Sequence, residues 1–110
     1  MFDSIKGMAD VMKLMGQAGK IKENMAQAQE RARNRTAVGE SGAGMVKVTA
    51  NGIGEIVAVD IDPEVLKDAE TVGPLLVSAI NTALFKSKEV LMEETKTAMG
   101  GIDLPPGMLG

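Results

Sequence analysis

The 110-residue chain contains no cysteine, histidine, tryptophan or tyrosine, and Phe2 and Phe85 are its only aromatic residues. Each absence removes a class of chemistry. Without cysteine there is no disulfide framework, no thiolate nucleophile and no cysteine-based zinc site. Without histidine the commonest general base and transition-metal ligand is missing. Two phenylalanines cannot form a stacking platform for single-stranded bases. The expectation is therefore a non-enzyme with no metal and no cofactor. No stretch approaches the roughly 18 consecutive apolar residues of a membrane span. Asp3, Lys6 and Asp10 interrupt the apolar residues after Met1, so no secretory signal core is expected there. The expected location is the cytoplasm.

What is present is enough for one domain with one modest core. A pI of about 4.9 argues against affinity for nucleic acid through bulk charge. The charge is uneven, however. Residues 1–35 carry seven Lys/Arg against four Asp/Glu, a net of +3, and residues 36–110 carry five against eleven, a net of −6. A basic segment on an acidic body is more informative than the total.

The hydrophobic period divides the chain. Residues 3 to 33 predict a long amphipathic helix with apolar Ile5, Met8, Met12 and Met15, and a seam at Leu14, Ala18, Ile21, Met25, Ala28 and Ala32. The seam steps by four and three, the heptad spacing of packed helices. Asp3 or Ser4 is expected to cap its start. Residues 36–62 change to a period of two. Thr36–Glu40, Val46–Ala50 and Ile53–Ile61 predict three strands joined by the turns Gly42-Ala43-Gly44 and Asn51-Gly52, an antiparallel meander. Glu55 breaks the third strand's pattern. Residues 63–99 return to helix. Asp62-Pro63 predicts a cap and a short helical turn to Lys67, followed by a long helix from Glu70 to Met99 that ends at Gly100-Gly101. Residues 100–110, with Pro105-Pro106-Gly107, read as an extended tail.

Length comparison points to a dimer. A helix of about 28 residues spans roughly 42 Å, and a seven-residue strand roughly 23 Å. Both long helices must overhang the sheet, and a symmetric partner is the simplest cover for their apolar stripes. The candidate interface residues are Met8, Met12, Met15, Ile21 and Met25, with methionine well suited to an adaptable contact.

Four constellations admit both a functional and a plainer reading. Gly39 and Gly44 have the spacing of a phosphate-binding loop, but Met45 and Val46 stand where lysine and a hydroxyl residue are required. The segment also opens a strand, so it reads as a turn. Asp60, Asp62 and Glu64 could offer oxygen ligands to a divalent cation, but Asp62 is better explained as a helix cap. Glu89, Glu93 and Glu94 with Lys86, Lys88 and Lys96 read as a solvated helix face with pairs three residues apart. The basic set Lys6, Lys13, Lys20, Lys22, Arg31, Arg33 and Arg35 is either a solvated face or a strip for phosphate contacts. The three arginines cannot share one face if all are helical, but can where the chain becomes extended.

The run Gly39-Glu40-Ser41-Gly42-Ala43-Gly44-Met45-Val46-Lys47-Val48-Thr49-Ala50-Asn51-Gly52 resembles the signature of the YbaB/EbfC family of bacterial nucleoid-associated proteins. The likeness continues through Val59-Asp60-Ile61-Asp62-Pro63, Ala79-Ile80-Asn81-Thr82-Ala83 and Leu104-Pro105-Pro106-Gly107-Met108. The resemblance implies an α+β protomer (helix, three-stranded antiparallel meander, helix) in an intertwined homodimer whose paired helices grip double-stranded DNA. It implies a cytoplasmic, nucleoid-located protein that organises the nucleoid or regulates genes. The DNA-contact candidates Lys20, Lys22, Arg31, Arg33 and Arg35 rest on charge and position, not on a residue-by-residue match. The rival reading is a non-catalytic protein-interaction module that uses the Met-rich first helix and the C-terminal tail.

Overall fold

A computed structural model describes residues 2–100, with side chains from residue 7 onward. The element order is α1 (Phe2–Arg33), β1 (Thr36–Ser41), β2 (Val46–Asn51), β3 (Ile56–Ile61), α2 (Pro63–Leu66) and α3 (Ala69–Ala98). The three strands form one antiparallel sheet in the order β1-β2-β3. The chain therefore has the helix, meander, helix order that the period changes predict. Of the tail expected over residues 100–110, all but Gly100 lies outside the described residues.

Small side chains decide how the layers meet. In register, Ala37, Gly39 and Ser41 of β1 stand opposite Ala50, Val48 and Val46 of β2. Val46, Val48 and Ala50 are fully buried, as are Ala79 and Ala83 of α3. A Cβ built on Gly39 would collide with the Ala79 carbonyl and the Ala83 amide, so the α3 backbone rests directly on β1. Ser41 Oγ donates to the Leu75 carbonyl at 2.6 Å and fastens the same contact. Val65 of α2 closes one side of this core, and Ile61, Val72, Leu75, Leu76, Ile80 and Leu84 surround it.

The turns differ from expectation in instructive ways. Gly42, Ala43 and Gly44 all take positive φ, so the glycine-rich run is a turn and Ala43 carries the strain of an L-residue at φ 56°. Asn51-Gly52 does not form a two-residue hairpin. Its loop runs to Glu55, with the positive φ at Gly54. The Asn51 Oδ1 accepts from the amides of Ile53 and Glu55, and its Nδ2 donates to Glu55 Oε1. A side chain thus supplies the loop's hydrogen bonds, and β3 begins at Ile56 and not at Ile53. Glu55 breaks the alternation because it belongs to this loop. A bulge between Thr49 and Ala50 then places Ile56 opposite Ala50, with Val59 opposite Val48 and Ile61 opposite Val46.

β3 is nevertheless exposed. α3 lies across β1 and β2 and leaves β3 largely uncovered. Val59 stands on the same face as the buried Val48, yet it is 49% exposed. An apolar row at a sheet edge is left without cover inside this protomer.

The helix ends follow local chemistry. Asp62 Oδ1 accepts from the Glu64 amide at 2.9 Å, with Pro63 in the first turn of α2. Asp68 caps α3 by accepting from the Glu70 amide, so α3 begins one residue before the expected Glu70. α1 begins at Phe2, which places Asp3 and Ser4 within the helix and not ahead of it as caps.

Candidate nucleic-acid interface

α1 and α3 run antiparallel. Asn24 Nδ2 donates to the Ala98 carbonyl, while Arg31 reaches Glu94. At the base, Ala28 and Ala32 are fully buried on α1, with Ser87 and Val90 buried on α3. The Gly52 amide donates to the Ala32 carbonyl at 2.8 Å, which satisfies an end-of-helix carbonyl. A Cβ on Gly52 would lie 2.6 Å from that carbonyl oxygen and 2.7 Å from Val90 Cγ1. Ser87 Oγ donates to the Asn51 carbonyl at 2.6 Å and ties α3 to the same loop.

Because Asn24 is level with the end of α3, everything before it projects beyond the body. At 1.5 Å per residue this is an arm of about 33 Å. Three stripes run along it. Leu14, Ala18 and Ile21 continue the seam toward α3. Met8, Met12 and Met15 lie on a second side, roughly a third of a turn away at about 100° per residue, and are 68%, 71% and 68% exposed. Lys13 and Lys20, seven residues apart, share the third side. The five interface candidates therefore fall on two surfaces. Ile21 and Met25 are half-buried where α1 approaches and runs beside α3, and the three methionines face solvent.

The basic candidates also separate. Lys13, Lys20 and Lys22 are exposed and make no salt bridge among the described residues. The arginines are engaged. Arg31 Nε donates to Glu94 Oε2 at 2.8 Å. Arg35 donates to Glu94 Oε1 and to Glu93 Oε2, each at 3.0 Å. Arg31 and Arg35 converge because α1 stops at Arg33, while Arg33 lies apart at 4.0 Å from Glu30. The chain end does bring two arginines together, but onto a carboxylate. Glu94 is held below the usual carboxylate range by the hydrogen bonds from Arg31 and then Arg35. Arg35 is correspondingly pushed up, chiefly by its hydrogen bond to Glu93 and then Glu94.

Glu93 and Glu94 thus pair across to α1, and Glu93 does not pair along α3 with Lys96 as the spacing predicts. That partnership is the element which sequence reading missed. The other constellations contribute structure. Asp62 is a helix cap, and Asp60 stands opposite Lys47 in the sheet. A shallow apolar groove beside the Asn51 loop is lined by Ile53, Leu84, Phe85, Lys88 and Leu91, among others. No described helix is long and apolar enough to cross a membrane.

Comparison with known proteins decides the family. The model of the YbaB/EbfC DNA-binding family matches residues 8–102. The chain belongs to the YbaB/EbfC family. Among its relatives is a nucleoid-associated protein of Akkermansia muciniphila, 39% identical over 101 residues, covering 90% of this chain and 97% of that one. A nucleoid-associated protein of Chlorobium phaeobacteroides strain BS1 is 42% identical over 93 residues, covering 84% and 81%. The crystal structure of an uncharacterized protein from Helicobacter pylori superposes with a TM-score of 0.69 at 30% identity, over 82% of this chain and 94% of that one. These relatives are bacterial, and the family is a DNA-binding one, not an enzyme class. The α+β meander between two long helices is thus the fold of a YbaB/EbfC protein, and α1 is its most exposed basic element.

Proposed function

We propose that the protein binds double-stranded DNA as a homodimer, without catalysis, through phosphate-backbone contacts made by the basic α1 arm. Its place is the nucleoid, where it organises DNA or regulates genes. The observation that carries this reading is the arm itself, which projects Lys13, Lys20 and Lys22 beyond an acidic body with no acidic partner among the described residues. Lysines free of ion pairs release counterions when they meet phosphate, which makes binding salt-dependent and tolerant of sequence. Family membership and the nucleoid-associated relatives support DNA as the partner. The uncovered Val59 row of β3 supports the dimer, since an exposed apolar sheet edge invites a symmetric mate.

The test has two arms. Anisotropy of a labelled 30-base-pair duplex, compared with its single strand across salt, should show log K for the duplex falling linearly with log salt and a weaker response for the single strand. Light scattering should give twice the chain mass, and Val59→Lys should move it toward one chain. Absence of duplex binding at low salt in an intact dimer would favour the second reading. In that reading the exposed Met8, Met12 and Met15 stripe docks a partner protein.

A further inference from the structure

The α1–α3 junction is a close contact between small buried side chains, with Met25 half-buried beside them. Its buried members are Ala28, Ala32, Ser87, Val90 and Gly52, small side chains that let the backbones approach but offer no large knob to fix an angle. Besides the loop bonds of Gly52 to Ala32 and Ser87 to Asn51, the direct side-chain cross-links between α1 and α3 are few. Asn24 holds the Ala98 carbonyl at 3.3 Å. The remaining three are the arginine contacts to Glu93 and Glu94, at 2.8, 3.0 and 3.0 Å. Glu94 is the centre of this set. Its side chain is 13% exposed against 44% for each arginine, and both of its oxygens are occupied by different guanidinium groups.

The arm beyond the junction is a lever. A 10° change at the base displaces a tip about 33 Å away by about 6 Å, half the roughly 12 Å width of a DNA major groove. Lys13, eleven residues before Asn24 and so about 17 Å out, shifts by about 3 Å, the length of a hydrogen bond, and keeps a phosphate contact only if this angle is held. The arginines themselves offer little net field, because two guanidinium groups face two carboxylates. A phosphate that recruited them would have to break charge-assisted hydrogen bonds that are already made.

From this geometry, and resting on the DNA-binding reading above, we propose that Glu94 is a positioning residue for DNA binding: by holding Arg31 and Arg35 together it fixes the α1 arm, and these two arginines act through that clamp and not as phosphate contacts. The proposal makes a prediction with the opposite sign to simple electrostatics. Glu94→Gln removes a negative charge, which on charge alone would strengthen binding to DNA. As a loss of the clamp it weakens binding.

The experiment is duplex anisotropy across salt for wild type, Glu94→Gln and Arg31→Lys, each checked for an intact thermal transition. Both variants should bind several-fold more weakly, with the slope of log K against log salt unchanged. Lysine retains the charge for a phosphate but has no donor at the Nε position from which Arg31 reaches Glu94. Equal or tighter binding by Glu94→Gln would overturn the proposal. So would a slope reduced by about 0.9 in a third variant measured alongside them, Arg31→Gln, the signature of one lost phosphate contact. A second readout does not depend on DNA. The chain has no cysteine, so Lys13→Cys and Met92→Cys accept two spin labels cleanly, with labelled chains diluted into unlabelled ones. Adding Glu94→Gln should broaden the distance distribution between them. An unchanged distribution overturns the clamp whether or not DNA binds. If wild type fails to bind DNA while the distribution broadens, the clamp stands as a fixer of the arm, and its role in DNA binding falls with the DNA reading.

Discussion

The body and the arm of this protein obey different rules. In the body, α3 lies on β1 and β2 so closely that glycine is required at Gly39, and Val46, Val48, Ala50, Ala79 and Ala83 are all fully buried. In the arm, Met8, Met12, Leu14 and Met15 are each more than 60% exposed, and the three lysines have no acidic partners among the described residues. The acidic residues are concentrated in the body, and Lys13, Lys20 and Lys22 stand on the arm without acidic partners, as Lys86, Lys88 and Lys96 do on α3, among the described residues. The contrast teaches that one helix can be packed at one end and exposed at the other, and on the proposed function the exposed end is the one that meets DNA. Residues 24–33 of α1 belong to the body through α3, and the residues before them project beyond it.

The largest expected effect breaks the body. Gly39→Val places side-chain atoms against the Ala79 carbonyl and the Ala83 amide, backbone groups that cannot rotate away. It should destabilise the fold by at least about 3 kcal/mol in urea unfolding, the upper range for overpacking. DNA binding should disappear with the fold although every arm lysine is intact. A near-normal transition would mean that α3 does not rest on β1 as described.

Acid should loosen the junction between the two regions. Glu94 is depressed below its ordinary value by Arg31 and Arg35, so its contribution is complete above the unfolded pKa of about 4.5 and is lost as pH falls through the lower folded value. Asp68 behaves likewise through the hydrogen bond from the Thr71 hydroxyl and the Glu70 amide, which outweigh the opposing burial. With no histidine, stability should be flat between about pH 5 and 8 and fall below about 4.5. Thermal melts of wild type and Glu94→Gln should differ at neutral pH and converge in acid. A constant difference down to pH 2 would contradict the assigned cause.

The smallest effect sharpens the picture of the body. Ala43 sits at φ 56° between two glycines of positive φ. Ala43→Gly relieves the left-handed strain but adds freedom to the unfolded chain, for a net gain of about 0.5–1 kcal/mol. Melting temperature should rise slightly, and DNA affinity should not change.

Much of the body was legible in the residues. The shift from period four-and-three to period two marked the boundaries of α1, the meander and α3. Asp62-Pro63 marked the entry to α2 because cap chemistry is local. The Asn51 loop was not legible as built. Asn-Gly advertises a two-residue turn, but the Asn51 side chain bonds two later amides and lengthens the loop, and a bulge then resets which residues of β3 face the core. The arm was legible in composition and its pairing was not. Nothing in the spacing of Glu93 and Glu94 shows that they meet residues some sixty positions earlier, since that contact arises only when α1 and α3 fold against each other. The small residues Ala37, Gly39 and Ser41 on one side, with Ala79, Ala83 and Ser87 four apart on the other, were the available signal for close helix-on-strand packing.

The most direct test of the division between body and arm is duplex anisotropy across salt for wild type and Lys13→Glu/Lys20→Glu/Lys22→Glu. The account predicts at least about a tenfold loss of affinity at low salt, on the order of 1.4 kcal/mol or more, with a shallower salt slope and an unchanged thermal transition. A variant that binds along the same line as wild type, with the fold intact, would place the DNA contacts elsewhere and contradict the central claim.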